Sequence, residues 1–562
     1  MFLRDLHVEN VRAIRTASVR FDASTTLVGE NDSGKGSLLR ALELVLGSSL
    51  TAPLDRTDFH QRGGAASGDG VLRIALTFEE RAPGDWDDAS HAILRHAVPV
   101  SGSSPRQLRL HATGMPASGR NAPALRFELP GVADAAVCQH VVDHVRATTP
   151  LIRLVGGTLT GHLGDETRQA LARQRPAETD RPGAGLMHQI LQAAEEILSR
   201  TAVDPESCIA SGAAAARELL AQIPRHVDPA AGGLASSIRE ILGQTGTPSP
   251  REAARALQPT FADRLGTLLL LAAILRHIPE GLAAGVEPLW VIEDPEAHLH
   301  PMTLAATERL LARIRWQKIV TTQSGDLLSA TPLADIRRLV RHEGSVRAAS
   351  LRPRALPREH LRRIGYHLRM HRGVAMFARV WLLVEGESEF WIVPQVAQVM
   401  GYDLPLEGIC PVGYAQCGVD PLVRTAREFG IEWHLLADGD EAGRRYVDSA
   451  RSYIRRGEED ERITFLPERD IEHCFWENGH SETIAEVAGL SPAMADRVTP
   501  TQAIARAVQR KSKPFLALRL VESAAAHGPE GVPPPLARLI ETCVRLARLA
   551  PERAIASRNR GS

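Results

Sequence analysis

Thr25-Thr26-Leu27-Val28-Gly29-Glu30-Asn31-Asp32-Ser33-Gly34-Lys35-Gly36-Ser37-Leu38-Leu39 passes from a β-branched, apolar run through a glycine-bounded loop into leucines. Leu38, Leu39, Leu42 and Leu46 then recur at helical spacing. Strand, loop and helix in this order, with G-x-x-x-x-G-K ending at Lys35, make a phosphate cradle. Backbone N–H groups and the helix N-terminus face the anion, and the lysine reaches its terminal oxygens. Gly29, Asn31, Gly34, Lys35, Gly36 and Ser37 are therefore the expected ATP contacts. The motif departs from its usual form after the lysine, where a Ser or Thr ordinarily ligates Mg²⁺. Gly36 has no hydroxyl, and Ser37 lies about 100° further round the helix. Weak hydrolysis, or a cation held through water, is the expectation.

The chain has 562 residues, enough for three or four units at about 100–200 residues each. Its net charge is −1, from 66 basic and 67 acidic residues, so no global field attracts a polyanion and any nucleic-acid contact needs a local patch. A hydrophobic share of 44% with 24% charge excludes a disordered chain, a collagen and a small disulfide scaffold. Six cysteines without a C-x-x-C pair argue against a disulfide framework and a zinc ribbon, which makes a cytoplasmic setting the default. The longest apolar run, Leu265 to Leu275, is too short for a bilayer, and the N-terminus alternates charge and apolarity unlike a signal peptide. No membrane partner is expected. Only four of the basic residues are lysines: Lys35, Lys318, Lys511 and Lys513. An ammonium is a compact point charge that a planar guanidinium does not replace at a tight site, so these four mark candidate chemistry.

Further along, Leu289-Trp290-Val291-Ile292-Glu293-Asp294-Pro295-Glu296-Ala297-His298-Leu299-His300-Pro301 reads as a buried strand ending in two acids. Glu293 is placed to coordinate a cation and Asp294 to polarise water. The next strand ends Thr321-Thr322-Gln323-Ser324, where Gln323 can donate a hydrogen bond to a phosphate but carries no charge.

A second α/β unit has candidate strands at Val380–Val384, Gly408–Val412, Glu432–Ala437 and Arg462–Leu466, with helical patterns between the first three, which implies a parallel sheet. Leu382-Leu383-Val384-Glu385-Gly386-Glu387-Ser388-Glu389 ends one strand, and Leu435-Leu436-Ala437-Asp438-Gly439-Asp440 ends another. Glu385 and Glu389, four apart, fall on one face of the turn into the helix. In a parallel sheet both segments end at the same carboxyl edge. Carboxylates crowded there repel and take up protons unless a hard cation, Mg²⁺ or Mn²⁺, intervenes.

The first set of motifs resembles the ATP-binding-cassette ATPases related to SMC and RecF proteins, and the second the Toprim domain of topoisomerases, primases and nucleases. Their succession resembles the OLD (overcoming lysogenization defect) family of nucleases, in its class 2, YbjD-like branch. The resemblance implies an α/β chain. An SMC-like P-loop ATPase head spans 1–130 and 235–350, interrupted by a helical insertion at 131–234 that could dimerise. An arginine-rich linker at 335–379, a Toprim domain at 378–480 and C-terminal helices at 481–562 follow. Asp263-Arg264-Leu265-Gly266-Thr267 is the candidate signature loop and Gln61 the candidate Q-loop residue. The Toprim site implied is a two-cation centre of Glu385, Glu389, Asp438, Asp440 and Glu472, assisted by Lys513, with Asp470 and Lys511 as alternatives for the last two.

The activity implied is ATP-binding, metal-dependent DNA cleavage in antiphage defence or DNA repair, by at least a homodimer, with room for a helicase or other partner. Two rivals stand beside it: a nuclease whose head senses nucleotide without hydrolysing it, and a non-nucleolytic, RecF-like clamp. Residues 335–379 hold 12 arginines against three acids, so Arg362 and Arg363 are the expected DNA contacts.

Overall fold

The computed structural model describes residues 1–47, 54–62, 65–66, 70–98, 104–115, 125–149, 151–155, 287–296, 311–312, 314, 316–370, 373–491, 494 and 497–556. They divide into two units, 1–331 with 335–348, and 332–334 with 349–562. The helical insertion beyond residue 155, the signature-loop candidate and residues 297–301 of the P-E-A-H-L-H-P run lie outside the described residues.

The first unit is built on an 11-stranded mixed sheet. Its strands are β1 (Phe2–Val11), β2 (Ile14–Arg20), β3 (Ser24–Val28), β6 (Leu72–Glu79), β7 (Gln107–Gly114), β8 (Arg126–Glu128), β9 (Leu151–Val155), β10 (Leu289–Glu293), β11 (Lys318–Thr321), β12 (Ile336–His342) and β13 (Ser345–Ala349). Two short strands, β4 (Gln61–Arg62) and β5 (Ala65–Ala66), pair separately. The order is β8-β7-β6-β1-β2-β13-β12-β3-β11-β10-β9. β1, β2, β6, β7 and β8 form an antiparallel meander. β9, β10, β11, β3 and β12 run parallel. β6 alternates buried and half-buried residues along its length, the period of a sheet with one face on the core. Central β3 buries Thr25, Thr26, Leu27 and Val28 in succession, as a strand covered on both faces must. It delivers the glycine loop to α1 (Lys35–Leu46).

Two expected boundaries move. α2 (Ala135–Thr148) buries Cys138, Val141, Val142 and Val145 in the head core, and β9 pairs with β10, so residues 135–155 belong to the head rather than to an insertion. The arginine-rich segment is not a linker from 335 either. β12 pairs with β3 and β13 with β2. Arg337 is buried because Asp22 pairs with it and the Arg20 carbonyl accepts its Nε–H at 3.0 Å. Another short helix, α3 (Gly325–Ala330), is capped by Ser324.

In the second unit α4 (Arg358–Met370) precedes a four-stranded parallel sheet of order β15-β14-β16-β17. Its strands are β14 (Val380–Val384), β15 (Ile409–Gly413), β16 (Glu432–Ala437) and β17 (Ile463–Phe465), close to the sequence expectation. Helices α5 (Glu387–Val399), α6 (Val419–Glu428) and α7 (Glu441–Arg451) follow the first three strands in chain order β14, β15, β16. Then come α8 (Ile471–Phe475), α9 (Ser481–Ala488), α10 (Pro500–Arg510), α11 (Lys513–Ala526) and α12 (Pro534–Ala556). α5, α9, α11 and α12 share one apolar core with β14. That shared core carries the N-terminus of α11 to the carboxyl edge of the sheet.

Candidate functional site

At that edge the chain leaves β14 through Glu385, β16 through Asp438 and β17 through the loop to Glu472. The turn after β16 demands glycine twice. A Cβ on Gly439 would lie 2.2 Å from the Glu468 carbonyl oxygen, and one on Gly443 would lie 1.9 Å from the Asp438 carbonyl oxygen. With glycine at both places, D-G-D-E-A-G lets Asp438 leave the strand while Asp440 caps α7, accepting the Gly443 N–H at 2.7 Å.

The acids crowd. Burial pushes Asp438 up to about 8, helped by the charges of Glu389, Glu385, Asp470 and Glu472. Glu389 is 5% exposed. Burial raises it and the Glu472 charge adds to this, although the Gly386 N–H bonds it at 3.1 Å and Lys513 attracts its charged form. Glu385 is raised by burial and by Asp440, and its Oε2 is buried with no hydrogen-bond partner. Glu472, almost fully buried, accepts the Ser388 hydroxyl at 2.6 Å and lies 3.7 Å from Lys513 Nζ. Burial alone would lower the Lys513 pKa, but Glu472, Glu389, Asp470 and Asp438 outweigh it and hold the ammonium charged. Lys511 points elsewhere, its Nζ 5.5 Å from the centre of the Phe515 ring. Asp470 caps α8 through the His473 N–H at 2.9 Å and lies 2.6 Å from His473 Nδ1.

Glu385, Glu389, Asp438, Asp470 and Glu472, five carboxylates, therefore act on one ammonium. Among the described residues no three acid, imidazole or thiol groups already close into a chelating cage. What the donor set offers is all-oxygen ligation with an unsatisfied carboxylate oxygen and a raised acid, which suits a hard divalent cation. Ser388, and Glu468 with its buried and unpartnered Oε2, were not among the sequence candidates. Tyr414 lies against Glu385, and its hydroxyl donates to the Leu436 carbonyl at 3.2 Å. Burial and the charges of Glu385, Asp438 and Glu389 hold its pKa far above the usual phenol value.

The head is arranged differently. Lys35 Nζ donates to the carbonyls of Gly29 at 2.6 Å and Glu30 at 2.9 Å. Burial lowers its pKa against the pull of Asp294, Asp32, Glu30 and Glu296. Gly34, with φ +102°, caps α1. Gly36 is exposed, and a Cβ there would meet nothing within 4 Å. Ser37 is buried and its Oγ accepts the Ala13 N–H at 3.3 Å. Asn31 is exposed at the tip of the loop. Glu293, expected to hold a cation, is bonded by Arg153 of β9, which also reaches Glu43 at 3.2 Å. Asp294 adopts φ +44°, a region an aspartate tolerates, and accepts the Thr321 hydroxyl at 3.2 Å. The Gln323 side chain is exposed while its backbone N–H donates to Glu296 at 2.6 Å. Gln61 donates to the Arg56 carbonyl at 3.4 Å. Arg153 carried no sequence signal, because it acts through strand pairing with a segment far along the chain.

Residues 1–117 and 253–375 match a family described as a protein of unknown function, DUF2813. Residues 376–440 match the Toprim domain described as overcoming lysogenization defect protein-like. The chain is 31% identical to the uncharacterized protein YbjD of Escherichia coli (strain K12), over 98% of this chain and 99% of that one. Among solved structures it is similar to the SMC head domain from Thermotoga maritima, at 14% identity and TM-score 0.32, covering 63% of this chain and 100% of that one. It is also similar to the C-terminal region of the Xanthomonas campestris pv. campestris OLD protein, at 21% identity and TM-score 0.27, covering 32% of this chain and 97% of that one.

Proposed function

The chain belongs to the OLD family, in its YbjD-like branch, and on that premise we propose that it is an ATP-binding, divalent-metal-dependent DNA endonuclease or nickase. The observation that carries the reading is the cation deficit at the Toprim edge, where Asp438 is pushed up to about 8 and Glu385 Oε2 lacks a partner. Glu385, Glu389, Asp438, Asp440 and Glu472 would hold two Mg²⁺ or Mn²⁺ ions. Bound there, such ions supply an activated water and charge stabilisation on the leaving oxygen of a phosphodiester. Lys513, kept protonated by the surrounding acids, donates to a phosphate oxygen as negative charge builds on it. Ser388 fixes the orientation of Glu472. The Tyr414 hydroxyl is committed to the Leu436 carbonyl at 3.2 Å, so hydrolysis rather than attack by a tyrosine fits the site.

In the head, Gly29, Asn31, Gly34, Lys35, Gly36 and Ser37 would cradle ATP, with Asp294 facing the lysine and Gln323 at the far end of β11. Arg153 on Glu293 and the Ala13 N–H on Ser37 favour a head that senses nucleotide and hydrolyses it slowly. A homodimer closing ATP between heads, a cytoplasmic setting and a role in antiphage defence or DNA repair complete the proposal; no helix among the described residues is long and apolar enough to cross a membrane. The test is supercoiled plasmid incubated with the full chain and Mg²⁺ or Mn²⁺, with and without ATP. Nicked or linear product that disappears with chelator is expected. Intact plasmid under every metal condition counts against the reading.

A further inference from the structure

α4 buries Ile364 completely and turns Arg362, Arg363 and Tyr366 outward, leaving Tyr366 60% exposed. Arg352, just ahead of this helix, is bonded to Glu428 at the end of α6, which ties the segment to the second unit. Together with Gln416 and Cys417, the three outward residues line a cavity of about 290 Å³. Gln416 and Cys417 sit in the loop that leaves β15 at the carboxyl edge of the sheet. Tyr414, two residues earlier in that loop, lies against Glu385. The cavity therefore borders the acidic edge on its β15 side.

Its volume is at the small end of ligand pockets, enough for one flat ring system and not for a base pair. Its chemistry is specific in kind. A tyrosine face and guanidinium planes stack on a nucleobase. The Gln416 amide offers a donor and an acceptor to a base edge. Guanidinium groups bond phosphate through paired N–H donors. Arg362 and Arg363 are each bonded to Glu359 at 3.1 Å, but both pairs are exposed, and such surface pairs are weak enough to exchange for phosphate.

We propose that this cavity holds one unpaired nucleotide of a DNA strand, with Tyr366 stacking on the base, Gln416 bonding its edge, and Arg362 and Arg363 bonding the flanking phosphates. The substrate class is then DNA with unpaired nucleotides, a single strand, flap or frayed end, presented beside the Toprim edge. The fate of the strand rests on the nuclease reading, whereas the binding does not.

The experiment measures anisotropy of a labelled single-stranded oligonucleotide, and of the same sequence as a blunt duplex, with the full chain in chelator so that no cleavage intervenes. Tyr366→Ala should weaken single-strand binding about tenfold, leave the duplex within about twofold, and be rescued by Tyr366→Phe. Arg362→Glu with Arg363→Glu should lower the salt slope by about one for each phosphate that is no longer neutralised. Unchanged single-strand affinity in Tyr366→Ala, or equal weakening on both DNAs, overturns the proposal. So does a free mononucleotide that binds as tightly as the oligonucleotide, since the cavity would then be an effector site. Cleavage by wild type with metal, alongside unaltered single-strand binding by Tyr366→Ala, defeats the cavity alone. Single-strand binding that depends on Tyr366 in a protein that never cleaves defeats the nuclease alone.

Discussion

Both units place acids at the ends of parallel strands, yet they treat the charge in opposite ways. In the head, cations are already supplied from the chain: Arg153 bonds Glu293 and Glu43, and Arg341 pairs with Asp32 beside the phosphate loop. At the Toprim edge five carboxylates share Lys513, and the strain appears as a raised Asp438 and an unpartnered Glu385 oxygen. Strand-end acids alone therefore do not identify a cation site. What distinguishes the second edge is that, among the described residues, its acids outnumber the single ammonium of Lys513.

The largest expected effect is at Asp438. Asp438→Ala should reduce plasmid cleavage at least ~10³-fold while leaving nucleotide affinity unchanged, because the two sites lie in separate units. Equal impairment of both would break the contrast. Next come the two lysines, two residues apart. Lys513→Met should cost cleavage about 10²-fold, and Lys511→Met, whose ammonium lies over Phe515, should cost little. A reversed ranking from the same gel assay would move the phosphate contact to Lys511. Third, Lys35→Ala should weaken ATP binding by roughly tenfold or more, as removing a charged donor does, measured by fluorescence of a labelled nucleotide.

The pH response sharpens the contrast from another side. Asp438 ordinarily titrates at 3.8 and in the fold near 8. Between these values the folded state keeps a proton that the unfolded state releases, so stability without metal should fall as pH rises from about 4 to about 8 and level off beyond. Asp438→Asn should flatten that decline in a calorimetric Tm series, and Mn²⁺ should stabilise wild type more at pH 8 than at pH 6. The smallest effect belongs to Gly36→Ser. Its Cβ enters open space, so the fold should tolerate it, and phosphate release should rise several-fold from a wild-type rate well below ~10 s⁻¹, the median for enzymes.

The strands that carry the second site were legible because V-W-L-L-V and E-W-H-L-L-A are short, mostly apolar and bounded by turn residues. Their acids were legible because a parallel sheet sends every strand end to one edge. The contact between Lys513 and Glu472 was expected only through resemblance, since it depends on α11 packing into a core shared with α5. Composition misled at β12 and β13. The arginine-rich stretch reads as a linker, yet Arg337 and Arg338 are buried, and Asp22 on a distant turn is what makes Arg337 tolerable there. Arg153 was invisible for the same reason, because its partner Glu293 is 140 residues away in sequence. The Tyr366 cavity combines one helix face with a loop after β15, and no local pattern encodes that meeting.

Calorimetric titration of Mn²⁺ into the nucleotide-free full chain measures directly where the divalent cation binds. Wild type and Glu293→Gln should give matching binding heats, while Asp438→Asn should give none, with each variant checked for an unchanged circular-dichroism spectrum. Heat that survives in Asp438→Asn, or vanishes in Glu293→Gln, would place the cation in the head and contradict the account.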